Sequence, residues 1–381
     1  MIDCAHFLNT LTAHGIGFYA GVPDSLLKHF CAYLDQNVAS ENHVIAANEG
    51  GAVALASGHY LATGKPGLVY LQNSGLGNCV NPLLSLADKQ VYSIPMLLMI
   101  GWRGEPGHAD EPQHIKQGAV TLQLLESLGV PYEVLPREEE PALELVRKLV
   151  EQSVAERSPV ALVVRKDTFS RFPANPQQDA VRTDPNLTLG REQALQALLD
   201  RLGPDVAVVS STGMISREVF ECRAKNKLGH HQDFLTVGSM GHCSQIAYGV
   251  ANANPAIEVC CIDGDGAAIM HMGAMAILGQ YRGGNLIHVV INNGRHDSVG
   301  GQPTAAFDIS LSGIASACGY EKSFTASTLE EMHAALDLMT TERAMAFLEI
   351  KVLPGSRPDL GRPTLSPAEN KESFMNHCRT R

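Results

Sequence analysis

The chain has 381 residues, 45% hydrophobic and 18% charged, with a formal net charge of −11. That composition describes a globular protein with ample core, long enough for two domains of ordinary size. The acidic balance argues against a nucleic-acid or anionic-membrane surface as partner.

The start, MIDCAHFLNTLTAHGIGFYAGVP, has no basic run followed by a long apolar one, so no signal peptide is expected. No other stretch reaches transmembrane length. Nine cysteines without CxxC spacing suggest reduced thiols and a cytoplasmic protein.

In chain order, residues 7–14 read as a helix and 17–20 as a strand leading into Gly21-Val22-Pro23-Asp24-Ser25. Asp24 thus falls at the carboxyl edge of a sheet, beside a helix over 26–34, as an N-cap or a site residue. Residues 43–46 form a strand, 51–63 an Ala-rich helix and 66–71 another strand. Glu49 is the only carboxylate between Glu41 and Asp88. In so apolar a setting it needs a partner; it is either an acid favoured by a helix N-terminus or a functional group. A second Gly-rich turn, 73–78, precedes a helix opening at Asn81-Pro82. Strand 93–101 exits into a polar loop carrying Arg103, His108 and the single tryptophan, with His114 just beyond. A helix over 141–153 and a strand over 159–165 end a first domain, 1–166.

Periodicity disappears over 167–190, where three prolines mark a linker. The second domain, 191–381, restarts with a helix (191–202) and a strand (206–210) that exits into Ser211-Thr212-Gly213. A further strand exit carries Gly238-Ser239-Met240, followed by a helix over 245–253. A helix over 328–339 and a strand over 346–352 complete the core, and the tail 354–363 is basic and turn-rich.

Between these lies the most informative stretch, 257–301. It reads as a strand (257–262), a Gly264-Asp265-Gly266 turn, a helix over 267–281 ended by Gly283-Gly284, and a strand (286–291) closed by Asn292-Asn293-Gly294. From Gly264 to Asn293 is about 30 residues, one βαβ crossover. A right-handed crossover makes the strands parallel, so Asp265 and the asparagine pair meet at one sheet edge. A carboxylate and an amide oxygen suit Mg²⁺, which keeps open positions for phosphate oxygens. The helix start directs free N–H groups to the same place. A nicotinamide site fits poorly, because G-x-G-x-x-G would need glycine at Ile269.

GDG followed one βαβ unit later by NN resembles the thiamine diphosphate (ThDP) fingerprint. GVPDSLL, NEG with AVALASG, LQNSGLGN, NPLLSL, NGRHDSVGGQPT and LGRPTLSPAENKESF extend the likeness from residue 21 to residue 374. They resemble the ThDP-dependent decarboxylases, and among them the phosphonopyruvate decarboxylases with their sulfopyruvate relatives. The resemblance implies an α/β fold of two doubly wound parallel-sheet domains, pyrimidine-binding then diphosphate-binding, without a middle domain. It implies that Asp265, Asn293 and the main-chain oxygen of Arg295 bind Mg²⁺, and that Thr212, Gly213, Gly266 and Ala267 contact the diphosphate. Glu49 would hydrogen-bond the aminopyrimidine. Gly238 would accept from its amine, with Ser239 in the same turn, and Met240 would hold the cofactor bent unless it is simply core. The substrate would be a small anionic 2-oxo acid, with Asp24 or His114 handling protons. Arg103, Arg295, His296, Arg357 and Arg362 are candidates for its anion. Active sites would lie at the interfaces of a homodimer or homotetramer. The alternatives are sulfopyruvate decarboxylation, an acetolactate-synthase-like carboligase, or a non-catalytic module binding a diphosphate nucleotide.

Overall fold

The computed structural model describes residues 1–173, 187–281, 283–341 and 343–380. The chain forms two compact units, Met1–Gln177 and Gln178–Arg381. The first holds β1 (Tyr19–Gly21), β2 (His43–Ile45), β3 (Gly67–Gln72), β4 (Met96–Gly101), β5 (Tyr132–Val134) and β6 (Pro159–Val164). The second holds β7 (Ala207–Ser210), β8 (Asp233–Leu235), β9 (Val259–Gly264), β10 (Leu286–Asn292), β11 (Lys322–Ala326) and β12 (Ala346–Lys351).

Each unit contains one six-stranded sheet whose strands pair in parallel. The first runs β2-β1-β3-β4-β6-β5 and the second, taken from its opposite edge, β8-β7-β9-β10-β12-β11. Counted within its own unit, each order is 2-1-3-4-6-5. The direction of travel therefore reverses between β1 and β3, and again between β7 and β9. In open α/β sheets ligand crevices form at such reversals, outside the carboxyl ends of the strands.

The sheets are parallel because helices cover both faces, and the strand sequences fit that burial. β4 (MLLMIG) and β6 (PVALVV) are buried at every position. On β6, Val160, Leu162 and Val164 face the cluster of Phe7 and Phe30, whereas Ala161 and Val163 face that of Trp102 and Leu125. β9 alternates likewise: Cys260 and Ile262 join Leu195 and Val219, and Val259 and Cys261 join Leu278 and Phe347.

Several elements depart from expectation. The helix Pro112–Ser127 and the strand β5 occupy a region left without elements, although Pro112 at the first helical position is a start signal. The helix expected to open at Asn81-Pro82 is one π-helical turn, Leu83–Ala87, with Pro82 as its N-cap, and it continues from an earlier helix, Leu76–Pro82. The expected long helix after GDG is two short ones, Asp265–Met270 and Gly273–Leu278. The second stops before Gly279, where an added Cβ would come 1.9 Å from the Cys318 carbonyl oxygen. Gly283-Gly284 therefore caps nothing. The helices Met214–Lys225, Leu311–Ala317 and Pro367–Arg379 and the strand β11 were also unanticipated.

Of the expected linker, residues 174–186 lie outside the described residues. Its flanks pack onto the two units. Phe169 sits 5.0 Å from the Phe7 ring and 5.3 Å from the Phe30 ring. Leu189 joins the second core and Gly190 bridges to Leu353.

Candidate active site

At the carboxyl edge of the first sheet, β1 ends just before Asp24. Asp24 does not cap the following helix, Lys28–Asn37, whose N-cap is Leu27. Its Oδ1 accepts from the Leu26 N–H at 2.9 Å in a local turn. Asp24 is fully buried, and its Oδ2 has no hydrogen-bond partner among the described residues. Burial lifts its carboxyl to about 6, against the pull of the Leu26 N–H and the Arg103 guanidinium.

Arg103 follows β4 and is gripped on several sides. Asn73 donates to its carbonyl at 2.8 Å and accepts from its N–H at 3.1 Å. Its guanidinium donates to both oxygens of Asp110, at 2.8 and 2.5 Å, and to Ser25 Oγ at 3.0 Å. His114 is buried on the helix Pro112–Ser127, and its Nδ1 lies 2.9 Å from the same Asp110 carboxylate. Burial opposes the charge on Asp110, but Arg103, His114 and the Gly104 N–H together hold its carboxyl well below the usual range. Burial pushes His114 down, against the pull of Asp110. At neutral pH the imidazole is therefore uncharged and donates from Nδ1 to Asp110, with Nε2 unprotonated.

Glu49 opens the helix Glu49–Thr63 behind the N-cap Asn48. It is buried, and its Oε2 accepts from Asn78 Nδ2 at 2.7 Å. Gly75 lies directly against it: a Cβ there would stand 2.0 Å from Glu49 Oε1. Glu49 is thus a helix-start acid, as one of the two expectations has it, and its carboxylate is buried and oriented by Asn78.

In the second unit a cleft opens where β7, β9 and β10 end. It is lined by Thr212, Met240, Asp265, Gly266, Ala267, Asn293, Arg295 and His296, as anticipated, and also by Arg191, Ser211, Asp297 and Ser298. Asp265 is the first residue of its helix and is buried. Burial lifts its carboxyl to about 7, against hydrogen bonds from the Thr304 hydroxyl and the Gly266 N–H. A Cβ on Gly266 would come 2.7 Å from His296 Cε1. Glycine is required there by space.

The asparagine pair divides its work. Asn292 is fully buried and donates to Glu349 at 2.7 Å while accepting from the Gly294 N–H. Asn293 faces the cleft and donates from Nδ2 to Asp297 Oδ2 at 2.7 Å. Asp297 also accepts from Arg191 at 2.8 Å and from the Gly355 N–H at 3.0 Å. Arg191, 5% exposed, donates to both oxygens of Glu218 as well. This network was absent from the sequence analysis, because Arg191 and Glu218 lie far from the GDG and NN motifs.

The turn that carries Gly238, Ser239 and Met240 is strained at Ser239, whose φ is +55°. Gly213 has φ +95°, which favours glycine at the mouth of β7. Among the substrate candidates, burial holds His296 down to about 4, so it is neutral rather than cationic at pH 7. Arg357 lies outside the cleft, paired with Glu192 and Asp359, each at 3.0 Å, and with Glu221. Arg362 is exposed and also outside it.

Two family descriptions match the chain. The N-terminal TPP binding domain of thiamine pyrophosphate enzymes covers residues 4–123, and the C-terminal TPP binding domain covers residues 211–350. A phosphonopyruvate decarboxylase of Streptomyces viridochromogenes is 34% identical over 98% of this chain and 94% of that one. The chain belongs to the thiamine pyrophosphate enzymes. A phosphonopyruvate decarboxylase of Streptomyces hygroscopicus is likewise 34% identical over 98% of this chain and 93% of that one. A sulfopyruvate decarboxylase of Methanosarcina acetivorans is 28% identical over 94% and 93% of the two chains. As a thiamine pyrophosphate enzyme, the protein takes thiamine diphosphate as its cofactor. No helix among the described residues is long and apolar enough to cross a membrane.

Proposed function

We propose that this thiamine pyrophosphate enzyme decarboxylates 3-phosphonopyruvate to phosphonoacetaldehyde and CO₂, with Mg²⁺, as a cytoplasmic enzyme of phosphonate biosynthesis. The observation that carries this reading is the near-full-length likeness to the Streptomyces phosphonopyruvate decarboxylases. The second-unit cleft fits the cofactor's diphosphate and metal. Among the described residues Asp265 is a buried carboxylate held by a hydroxyl and an N–H but by no cation, which suits a hard divalent ion.

Thiamine diphosphate, when bound, supplies the electron sink that lets a 2-oxo acid lose CO₂. Asp265, Asn293 Oδ1 and the Arg295 carbonyl would hold the Mg²⁺. Thr212, Gly213, Gly266 and Ala267 would cradle the diphosphate, whose charge the N–H groups at the start of Asp265–Met270 favour. The Gly238 carbonyl would receive the aminopyrimidine amine, and the Ser239 backbone would set Met240 beneath the ring. Glu49 would hold a proton at the aminopyrimidine ring nitrogen, its carboxylate oriented by Asn78 and Gly75.

For the substrate, Arg103 offers a planar cation already anchored by Asp110, suited to a phosphonate. Asp24 and His114 stand on the same sheet edge as proton handlers. A carboxyl lifted to about 6 and a neutral imidazole can each exchange a proton near neutral pH. We infer that the first unit of one subunit and the second unit of another share each cofactor, in a homodimer or homotetramer. Glu49 and the Asp265 seat belong to different units.

The test supplies thiamine diphosphate and Mg²⁺ and compares CO₂ release from phosphonopyruvate, sulfopyruvate and pyruvate. Turnover is expected to be highest with phosphonopyruvate. Preference for sulfopyruvate would move the substrate alone; turnover of none of the three would sink the decarboxylase itself.

A further inference from the structure

A second group of ligand-type side chains lies inside the second unit, away from the cleft. Cys261 and Asp263 alternate on β9, and His288 stands on β10 in register with Cys261. Residues two apart share a sheet face, so all three project to one side. The Cys261 sulfur, an Asp263 oxygen and a His288 ring nitrogen lie within 4.8 Å of one another. Cys243, at the head of the helix Cys243–Ala253, brings its Sγ to 3.5 Å from Cys261 Sγ.

Two atoms in this group are unsatisfied. Asp263 accepts from the Gly264 N–H through Oδ1 at 3.0 Å. Its Oδ2, like His288 Nε2, has no hydrogen-bond partner among the described residues. Both side chains are 1% exposed, and these two atoms are 3.8 Å apart, beyond hydrogen-bond reach. Leaving two such atoms unmatched in a core is costly. The other ring nitrogen, His288 Nδ1, lies 3.1 Å from the Tyr320 hydroxyl. If Nδ1 carries the proton toward Tyr320, the Nε2 lone pair faces a carboxylate lone pair, an arrangement that a cation between them resolves.

Two distances match such a cation, Asp263 Oδ2 to His288 Nε2 at 3.8 Å and Cys261 Sγ to Cys243 Sγ at 3.5 Å. Donors bound at about 2.0–2.3 Å in a tetrahedron lie roughly 3.3–3.8 Å from one another. Metal-bound histidines hold their second nitrogen on a hydrogen-bond partner, as Tyr320 provides here. Two sulfurs, one imidazole and one carboxylate select zinc over magnesium.

We propose that Cys261, Asp263 and His288 hold a structural Zn²⁺, and that the Cys243 thiol, now turned to the Val209 carbonyl beside Cys261, swings in as the fourth ligand to close the site. Metal entry displaces the two thiol protons to solvent and leaves no open coordination position, so the ion is structural rather than catalytic. It ties β9 to β10 and to the helix that follows the Gly238–Met240 turn. The site stands apart from the decarboxylase reading and from the Asp265 seat.

The experiment measures zinc per chain by mass spectrometry in untagged full-length protein grown with zinc and dialysed against Mg²⁺ and thiamine diphosphate. About one equivalent is expected, retained in Asp265→Ala and lost in His288→Ala and Cys261→Ser. Wild-type protein grown with cobalt instead is expected to show a thiolate-to-cobalt charge-transfer band, a readout that needs no core variant to fold. Zinc that disappears with Asp265→Ala would belong to the cofactor seat and overturn the proposal. So would wild-type protein that binds neither metal.

Discussion

Asp297 Oδ2 accepts from Asn293 Nδ2 at 2.7 Å, and with the Arg295 N–H donating to Asn293 Oδ1 at 3.2 Å it fixes the orientation of the Asn293 amide. With its nitrogen committed and one lone pair on the Arg295 N–H, the amide oxygen keeps a second lone pair that a cation can use. Asp297 is itself fixed by Arg191 and the Gly355 N–H, so the orientation is built in before any ligand arrives. Asp297→Ala is therefore expected to weaken Mg²⁺ binding about 10–100-fold, the usual effect of removing a support behind a metal ligand. Calorimetric titration of Mg²⁺ at saturating thiamine diphosphate measures it. Unchanged affinity in a folded variant would show that Asn293 is held by something else.

The contact between Gly75 and Glu49 gives a second prediction. A methyl group at residue 75 cannot coexist with the present carboxylate position, since its Cβ would fall 2.0 Å from Oε1. Gly75→Ala should displace Glu49 from Asn78 and lower turnover roughly 100-fold, as misplacement of a catalytic group by about 1 Å does. Glu49→Gln should lose at least as much while keeping the fold. Circular dichroism and steady-state kinetics together check both; full activity in Gly75→Ala would mean that the carboxylate moves without consequence.

Asp24 sets a pH dependence of stability. Its carboxyl, lifted to about 6 by burial, keeps a proton in the native state that the unfolded chain has already lost. Stability therefore falls as pH rises from the ordinary carboxylate range through about 6, and stays lowered above it. Asp24→Asn removes that penalty and should stabilise the protein by on the order of 2–3 kcal/mol at pH 8, with little change at pH 3.5. Urea unfolding at the two pH values reads the difference. An equal effect at both would show that the charge on Asp24 is not what burial opposes.

The two arginines differ in what surrounds them. Arg103 is anchored on one carboxylate and one hydroxyl, whereas Arg357 is paired with three carboxylates outside the cleft. Arg103→Ala should raise KM for phosphonopyruvate about 10–100-fold, the loss of one charge-assisted contact. Arg357→Ala should leave KM within about twofold, because the pairs it breaks are partly exposed and weak. Kinetics of the two variants side by side decide the assignment, and the reverse pattern would relocate the anion pocket.

How much of this was legible in the sequence depended on distance along the chain. Strands such as β4 and β6 were readable because burial on both faces demands unbroken apolar runs. Asp265 and Asn293 were readable because one crossover separates them, and the right-handed rule then brings them together. The supports behind them were not. Arg191 reaches Asp297 across 106 positions, and no local pattern announces that pair. Asn78 beside Glu49, 29 positions away on another element, was hidden in the same way, whereas Asp110 stands only four positions before His114. Some local signals were present and unused. Ser366-Pro367-Ala368-Glu369 spells a capping box, and the helix Pro367–Arg379 starts there with both reciprocal bonds formed. The end of the helix Gly273–Leu278 carried no such mark, since it falls where Gly279 meets the Cys318 backbone.

The common strand order of the two sheets makes their residues comparable without any alignment of sequence. Glu49 follows the second strand of its unit, and the Gly238–Met240 turn follows the second strand of the other. Asn73 and Asp265 each come directly after a third strand, Trp102 and Asn293 directly after a fourth. Counterpart positions thus carry unlike chemistry: an acid against a bent turn, an amide against a carboxylate, an indole against an amide. The two halves thus share their wiring and differ in what stands at the strand exits. That shared wiring also supplies a coordinate system in which a substitution in one half can be matched to its opposite number in the other.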